Sequence, residues 1–257
     1  MRRLLLRVAF FLFLIALGLI GWTQRHYVAV KVEQLLFSQN TSGPAPDLDT
    51  YKVLSKDLEE QRRRLGRRYL NSPPGNIRED IILQARELLQ LSLPHLMRCW
   101  LGTPWDFNGT AHEPGTGKVA CGYFVSSVLQ DAGFLVEWAP LAQQASQNIL
   151  GTFLPAEKMT IRVGMGYELF LDEVLLSGPG VYIVGLDSHV AFLVINESQE
   201  VRFIHSSGSS PYCVVDESRE QSQVLRNSNY RVTGNLTLCE EVLRKWLLEE
   251  KFKTLTR

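Results

Sequence analysis

The sequence changes character at the tetrapeptide SGPG (177–180), and this change limits the folds that are open to the chain. Before it, apolar residues recur with helical spacing, as in IREDIILQARELLQLSLPHLM (77–97). After it come short β-branched and aromatic runs between turn residues: VYIVGL, HVAFLVI, VRFIHS and YCVVDE. The last segment, LCEEVLRKWLLEEKF, is helical again. Helices followed by strands predict an α+β domain with an antiparallel sheet.

The first residues have the pattern of an export signal. Met1-Arg2-Arg3 precedes LLLRVAFFLFLIALGLIGW (4–22), which is apolar apart from Arg7. No small-residue cleavage site follows, and no cysteine is close enough for a lipoprotein signal. We therefore expect a signal-anchor or transmembrane segment over residues 1–34, which holds the rest of the chain on the periplasmic side of the cell membrane. Secretion after cleavage of the signal is the alternative.

Two further regions follow the predicted anchor. Residues 35–75 are predicted to form a linker, centred on SQNTSGPAPDLDT (38–50), and a charged helix. That helix contains the basic cluster RRRLGRR (62–68), which we interpret as a solvated helix face. Residues 76–257 are predicted to form the main domain. The whole chain has 27 basic and 27 acidic residues, so a nucleic-acid partner is not expected.

The chain has four cysteines, Cys99, Cys121, Cys213 and Cys239. Their spacing matches no metal-binding pair, and the sequence predicts no cofactor. An even number of cysteines in an oxidising compartment is compatible with two disulfides, or with one if Cys121 stays a free thiol. The sequence does not choose between these states, and it does not indicate an oligomeric state.

Cys121 lies where a glycine-rich loop gives way to an apolar helical run, in GKVACGYFVSSVLQDAGF (117–134). Gly133 is a plausible end for that helix. A cysteine in the first turn of a helix meets unpaired backbone N–H groups and the helix dipole, which lower a thiol pKa and favour a nucleophile. The alternative is a small packing residue beside Tyr123 and Phe124.

A nucleophilic thiol needs a base, and two histidines in the strand region are candidates. If HVAFLVINESQEVRFIHSS forms a hairpin that turns around Glu197, His189 and His205 are directly opposite each other. One imidazole can then act as the base for Cys121, and the second can orient the first. A chance pair at the rim of the sheet and a pair of metal ligands are the alternatives. The same face is predicted to carry Ala191, Leu193, Val201 and Phe203.

Taken in order, these segments resemble the NlpC-type cell-wall peptidases, a branch of the papain-like cysteine hydrolases. The matching stretches are GTPWDFNG (102–109), ACGYFVSSVLQDAGF (120–134), HVAFLVI (189–195) and FIHSS (203–207). The resemblance implies a papain-like fold in which the nucleophile helix packs on an antiparallel sheet. It also implies Cys121 as nucleophile, His189 as general base and acid, and His205 as the orienting residue.

The chain departs from the family pattern beside the nucleophile. Ala120 stands where the family often has an aspartate that helps bind a free amine of the substrate. Trp105 stands where a tyrosine hydroxyl usually lies near the oxyanion. The indole N–H of Trp105 and the backbone N–H of Gly122 are therefore our candidates for oxyanion or substrate binding.

The resemblance and the predicted anchor together imply a membrane-tethered cysteine peptidase or amidase with a Cys–His–His triad. Its expected partners are the membrane and a peptide substrate, and peptidoglycan stem peptides are the favoured substrate. Two alternatives stay open. One is acyl transfer on a protein amide or a lipid ester, and the other is a binding or scaffold module without turnover.

Overall fold

The computed structural model describes residues 44–256. In this range eight helices and six strands follow one another, and a short 3-10 turn lies at Ala156–Lys158. The first five helices are α1 (Leu48–Asn71), α2 (Asn76–Arg98), α3 (Cys121–Asp131), α4 (Trp138–Ala142) and α5 (Ser146–Phe153). The remaining elements are β1 (Thr160–Val163), α6 (Tyr167–Leu176), β2 (Gly180–Leu186), β3 (Val190–Ile195), β4 (Val201–Ser206), β5 (Val214–Ser218), α7 (Gln223–Asn227), β6 (Tyr230–Asn235) and α8 (Glu240–Leu247).

The predicted membrane anchor lies outside the described residues. Within residues 44–256, no helix combines the length and the apolar character that crossing a membrane requires.

All six strands form one antiparallel sheet in the order β1-β6-β2-β3-β4-β5. The prediction of an α+β chain with an antiparallel sheet is therefore confirmed. Sequence analysis missed β1 and α7. Strand β1 is only four residues long, and three of them are exposed at the edge of the sheet. Its buried residue is Arg162, whereas Ile161 and Val163 are exposed, so its alternation does not mark an apolar face turned to the core.

Each face of the sheet is covered by helices and has its own buried cluster. On one face, Phe192 and Ile204 of the sheet pack with Phe124 of α3 and with Trp100 and Trp246. On the other face, Leu193 and Phe203 pack with α6. Alternate residues of β3 and β4 point to opposite faces, so the two strands contribute to both clusters. This arrangement places α3 against β3 and β4.

Helix α1 packs against α2 and α8, in a compact unit that begins at Pro44. The interpretation of RRRLGRR as a solvated face is wrong for Arg62. That side chain is buried, and its guanidinium donates to the Trp246 carbonyl oxygen at 3.1 Å and to Glu59 at 2.7 Å. The other four arginines of the cluster are exposed: Arg63, Arg64, Arg67 and Arg68. Pro94 does not end α2, which continues to Arg98.

Gly133 ends helix α3, as its sequence predicted. The residue has a φ of +89°, in the left-handed region that favours glycine. The Gly133 N–H donates to the carbonyl oxygen of Gln130 at 2.9 Å, and the Phe134 N–H donates to that of Leu129 at 3.1 Å. These two bonds form a Schellman motif, which satisfies carbonyl groups at the helix end.

We expect Gly133→Ala to lower the free energy of unfolding by about 1–2 kcal/mol, because an L-residue is strained in this backbone conformation. The new methyl group would also lie 3.0 Å from Nε of Arg62. Gly166→Ala is a suitable control, because Gly166 has a φ of −59° and no atom within 4 Å of an added Cβ. Urea denaturation measures both variants. Equal stability of the two would contradict this account of how α3 ends.

Candidate active site

The backbone before Cys121 is fixed by hydrogen bonds from two directions. The Val119 N–H donates to the carbonyl oxygen of Pro104 at 2.9 Å, and the Ala120 N–H donates to that of Gly109 at 2.9 Å. From the sheet, the Ser206 hydroxyl donates to the carbonyl oxygen of Val119 at 2.7 Å. The loop over residues 102–120 and the end of β4 therefore hold the start of α3 together.

Cys121 is the first residue of α3, and no side chain caps this helix end. The first backbone N–H groups of a helix have no partners within the helix, so they are available to a bound group. Two of these N–H groups, those of Cys121 and Gly122, and the backbone of Val190 act to lower the pKa of the Cys121 thiol. Burial has the larger effect and raises that pKa above its ordinary value. The prediction of a lowered thiol pKa is therefore wrong, because desolvation of the thiolate outweighs the helix N-terminus.

The two predicted histidines meet through a hydrogen bond of 2.9 Å between Nε2 of His189 and Nδ1 of His205. His189 directly follows the turn at Asp187 and Ser188, where the Leu186 N–H donates to the His189 carbonyl oxygen at 2.8 Å. The Asp187 carboxylate accepts from the Asn229 N–H at 2.8 Å, which ties this turn to the loop before β6.

The two histidines are diagonal neighbours, and the predicted direct opposition is wrong by two residues. Ile195 pairs with Val201 and Phe192 with Ile204, which places Ala191 across from His205. Asn196 and Glu200 are still joined by a backbone hydrogen bond, so the loop of the hairpin is the three residues 197–199. Its last residue, Gln199, is in the left-handed region, with a φ of 61°. A shift of two residues keeps every side chain on its predicted face. The four apolar residues expected on the histidine face do lie in one buried cluster: Ala191, Leu193, Val201 and Phe203.

A carboxylate that the sequence analysis did not identify follows the histidines. Oε2 of Glu217, on β5, lies 3.3 Å from Nε2 of His205. The His205 side chain is completely buried, and the Phe203 ring lies against it with a centroid distance of 4.3 Å. Both ring nitrogens of His205 thus have a partner. The available signal was the alternation in YCVVDE, which places Val215 and Glu217 on one face of the predicted strand.

Desolvation and, to a smaller extent, the neighbouring His205 lower the pKa of His189 from 6.5 to about 3. A low imidazole pKa and a raised thiol pKa both favour the uncharged forms. At neutral pH both directions favour a neutral thiol and a neutral imidazole over a thiolate–imidazolium ion pair in the free protein.

Cys121 and His189 line the same cavity, which has a volume of about 730 Å³. Its walls combine aromatic side chains (Trp105, Phe107 and Tyr123) with side-chain amides (Asn108, Gln143 and Gln144). Of the described residues, no Asp, Glu, Lys or Arg lines it. A second cavity of about 260 Å³ also reaches both residues and includes Asp187. The thiol and the imidazole therefore lie where two cavities meet.

Trp105, Cys121, Gly122 and His189, four of the five residues selected from the sequence, line the larger cavity, and His205 lies behind His189. Gly122 also allows α4 to approach α3, since an added Cβ would lie 2.1 Å from the carbonyl oxygen of Ala142. The Trp105 ring lies beside Gly208, with ring carbon Cζ2 3.0 Å from the position of an added Cβ there.

All four cysteines are free thiols in the structure. Within residues 44–256, no group of three or more His, Cys, Asp or Glu side chains is arranged to hold a metal ion.

We expect iodoacetamide to modify Cys121 slowly at neutral pH and faster only as the pH rises above the ordinary thiol pKa, because the thiolate is the reactive form. The measurement is the alkylation rate against pH, read for each cysteine by peptide mass. Cys213 is the internal reference, because burial also raises its thiol pKa. A Cys121 rate that reaches its plateau below pH 7 would contradict the neutral pair.

The low pKa of His189 also predicts how stability depends on pH. Between about pH 6.5 and pH 3 the unfolded chain binds a proton at this position that the folded chain does not bind. We therefore expect the stability of the wild type relative to His189→Asn to be constant above about pH 7. It should fall on acidification, by at most about 1.4 kcal/mol per pH unit. Urea denaturation of both proteins from pH 7.5 to pH 4.5 measures this difference, and a difference independent of pH would contradict the neutral His189.

Comparison of the chain with known protein families, curated proteins and solved structures gives no match. The chemistry of the site is therefore inferred from its own residues and from the motifs that resemble the NlpC-type peptidases.

Proposed function

We propose that the chain is a papain-like cysteine hydrolase, a peptidase or amidase that uses Cys121, His189 and His205. The observation that carries this proposal is the arrangement at the larger cavity. A thiol at an uncapped helix N-terminus shares that cavity with an imidazole, and a second imidazole holds the first at 2.9 Å. Nucleophile, base and orienting residue are the parts that covalent catalysis by a thiol needs.

In the first step the sulfur of Cys121 attacks the carbonyl carbon of an amide. Nε2 of His189 is occupied by His205, so Nδ1 is the nitrogen that accepts the thiol proton. Because the resting pair is neutral, the proton leaves the thiol as the carbon–sulfur bond forms. The carbonyl oxygen becomes an oxyanion, which the backbone N–H groups of Cys121 and Gly122 stabilise. The indole N–H of Trp105, which also lines the cavity, is a further candidate donor.

In the second step the carbon–nitrogen bond breaks, and His189 gives its proton to the leaving amine. The acyl group remains on Cys121 as a thioester. Water then attacks the thioester, and His189 takes a proton from that water. As the carbon–sulfur bond breaks, His189 returns the proton to the sulfur of Cys121, and the carboxylic acid product leaves. His205 keeps the His189 ring in place during these proton transfers.

Peptidoglycan stem peptides are the substrate that we propose, on the resemblance and on the predicted anchor over residues 1–34. The proposed enzyme is tethered to the cell membrane and acts outside the cytoplasm. The larger cavity places a limit on this substrate. Ala120 lies in its wall, and no described carboxylate there is available to pair with a free amine. We therefore expect the enzyme to accept a peptide whose amino group near the scissile bond is blocked.

The same uncharged cavity favours one alternative on the same residues. A site lined by aromatic rings and amides suits a neutral acyl group, such as that of a lipid ester or a protein amide. In that case Cys121 still forms a thioester, and only the acyl donor or acceptor differs. A scaffold module without turnover would form no thioester.

The test is the digestion of purified sacculi by the full-length chain. We expect the wild type to release peptide fragments, and Cys121→Ala to release none. His189→Ala should lose at least about 100-fold of the rate, because general base catalysis is lost. His205→Ala should keep a part of the activity, because it removes only the orienting bond. The matched control is Cys213→Ala, which removes a thiol outside both cavities and should leave the rate unchanged.

Identical product profiles for the wild type and Cys121→Ala would reject the peptidoglycan substrate. Acyl-thioester formation with ester or amide probes then decides between the remaining functions. Mass spectrometry that finds an acyl adduct on Cys121, absent from His189→Ala, supports another acyl transfer. No adduct with any probe supports a scaffold module.

A further inference from the structure

We propose that Glu217 is a positioning residue that fixes the direction of both histidine hydrogen bonds, so that Nδ1 of His189 is left unprotonated for Cys121. The three side chains form a row across neighbouring strands at one end of the sheet. His189 directly precedes β3, His205 lies on β4, and Glu217 lies on β5. The row is joined by distances of 2.9 Å and 3.3 Å.

The row exists because the same diagonal step occurs twice in the sheet. On β4 and β5, His205 pairs with Val215 and Phe203 pairs with Glu217. Glu217 is therefore two residues from the position directly opposite His205, as His189 is on β3. Residues two apart on a strand share a face, so both steps keep the side chains on the same side of the sheet.

The direction of the hydrogen bonds follows from their chemistry. A neutral imidazole has one N–H donor and one acceptor nitrogen, whereas an ionised carboxylate can only accept. The carboxylate of Glu217 can accept a hydrogen bond only if Nε2 of His205 carries the proton. Nδ1 of His205 is then unprotonated and acts as an acceptor. That acceptor requires the proton of His189 on Nε2, and Nδ1 of His189 then carries the free lone pair. In the opposite direction, Nδ1 of His189 would carry a proton and could not act as a base.

The neighbouring charges leave Glu217 available for this role. Asp216, the residue before it, points to the other face. Its carboxylate pairs with two arginines, with a distance of 2.8 Å from an oxygen to Nε of Arg98 and to Nε of Arg202. Among the described residues, no lysine or arginine pairs with Glu217, and the neighbour of its carboxylate is Nε2 of His205. The Glu217 side chain is 22% exposed, so its carboxylate remains partly hydrated.

The proton order itself is a property of the folded chain. Its catalytic consequence rests on the proposed hydrolase, since an unprotonated Nδ1 matters only if Cys121 has to lose a proton. The two claims can therefore fail separately, and the experiment has a readout for each.

The first readout is the position of the protons in the full-length chain, solubilised in detergent and labelled with ¹⁵N-histidine. The chain has five histidines, so each ring can be assigned with single His→Gln variants. At neutral pH the wild type should show His189 and His205 both protonated on Nε2 and unprotonated on Nδ1. A wild-type spectrum with His189 protonated on Nδ1, or with His205 protonated on both nitrogens, overturns the proposal whether or not any substrate is found.

The second readout uses Glu217→Leu and the conservative Glu217→Gln. Leucine removes the acceptor, so part of the His189 population should move its proton to Nδ1. Glutamine still has a carbonyl oxygen that can accept from Nε2 of His205, so the wild-type order should be kept. Glu220→Leu is the matched control, because Glu220 is an exposed carboxylate just after β5 that bonds to Ser218 and Arg219.

If the proposed function holds, Glu217→Leu should lower kcat at least about tenfold with little change in KM, since only proton transfer is affected. Glu217→Gln should recover most of that loss, and Glu220→Leu should match the wild type. Histidine spectra of Glu217→Leu identical to those of the wild type overturn the proposal. The predicted proton shift without activity in any protein rejects the hydrolase and leaves the role of Glu217 in the proton order standing.

Discussion

The hydrogen bond between His189 and His205 is the interaction on which the candidate site depends. It joins the residue before β3 to His205, the second-last residue of β4, so it exists only in one register of the hairpin. It also occupies one nitrogen of His189 and so determines which nitrogen remains for the thiol. The position of α3 matters as well, because its N-terminus must reach the start of β3, where the His189 imidazole lies.

Burial determines the resting state of the site. A helix N-terminus favours a thiolate, yet Cys121 and His189 are both partly buried, and desolvation favours the uncharged forms of both. A neutral thiol is a weak nucleophile, so Cys121 reacts slowly before a substrate is bound. In the proposed hydrolase, charge appears only as the oxyanion forms, close to backbone N–H groups that are already in place. The site therefore resembles a thiol with a general base more than a preformed ion pair.

The sequence was sufficient for the features that depend on patterns of two or three residues. Helical and strand periods predicted the α+β class, and the two-residue alternation placed both histidines on the correct face. The register was wrong by two residues because it depends on the left-handed backbone of Gln199, which the sequence does not mark with glycine. Ser206 was missed because its partner, Val119, is remote in the chain, and Glu217 was missed because the sequence analysis did not pair its strand with β4. The pKa of Cys121 was wrong because burial is a property of the whole fold.

The bond from Ser206 to Val119 has a consequence for how such a site can vary. His205 and Ser206 are consecutive residues of β4 that point to opposite faces, and Val119 lies two residues before Cys121. His205 and Cys121 are therefore linked by a short path of peptide bonds and one hydrogen bond. The aromatic and amide walls of the cavity lie largely outside this path, on the loop over residues 102–118 and around α4. In the proposed hydrolase, substitutions in those walls can therefore alter the choice of substrate while the spacing of the reacting groups stays the same.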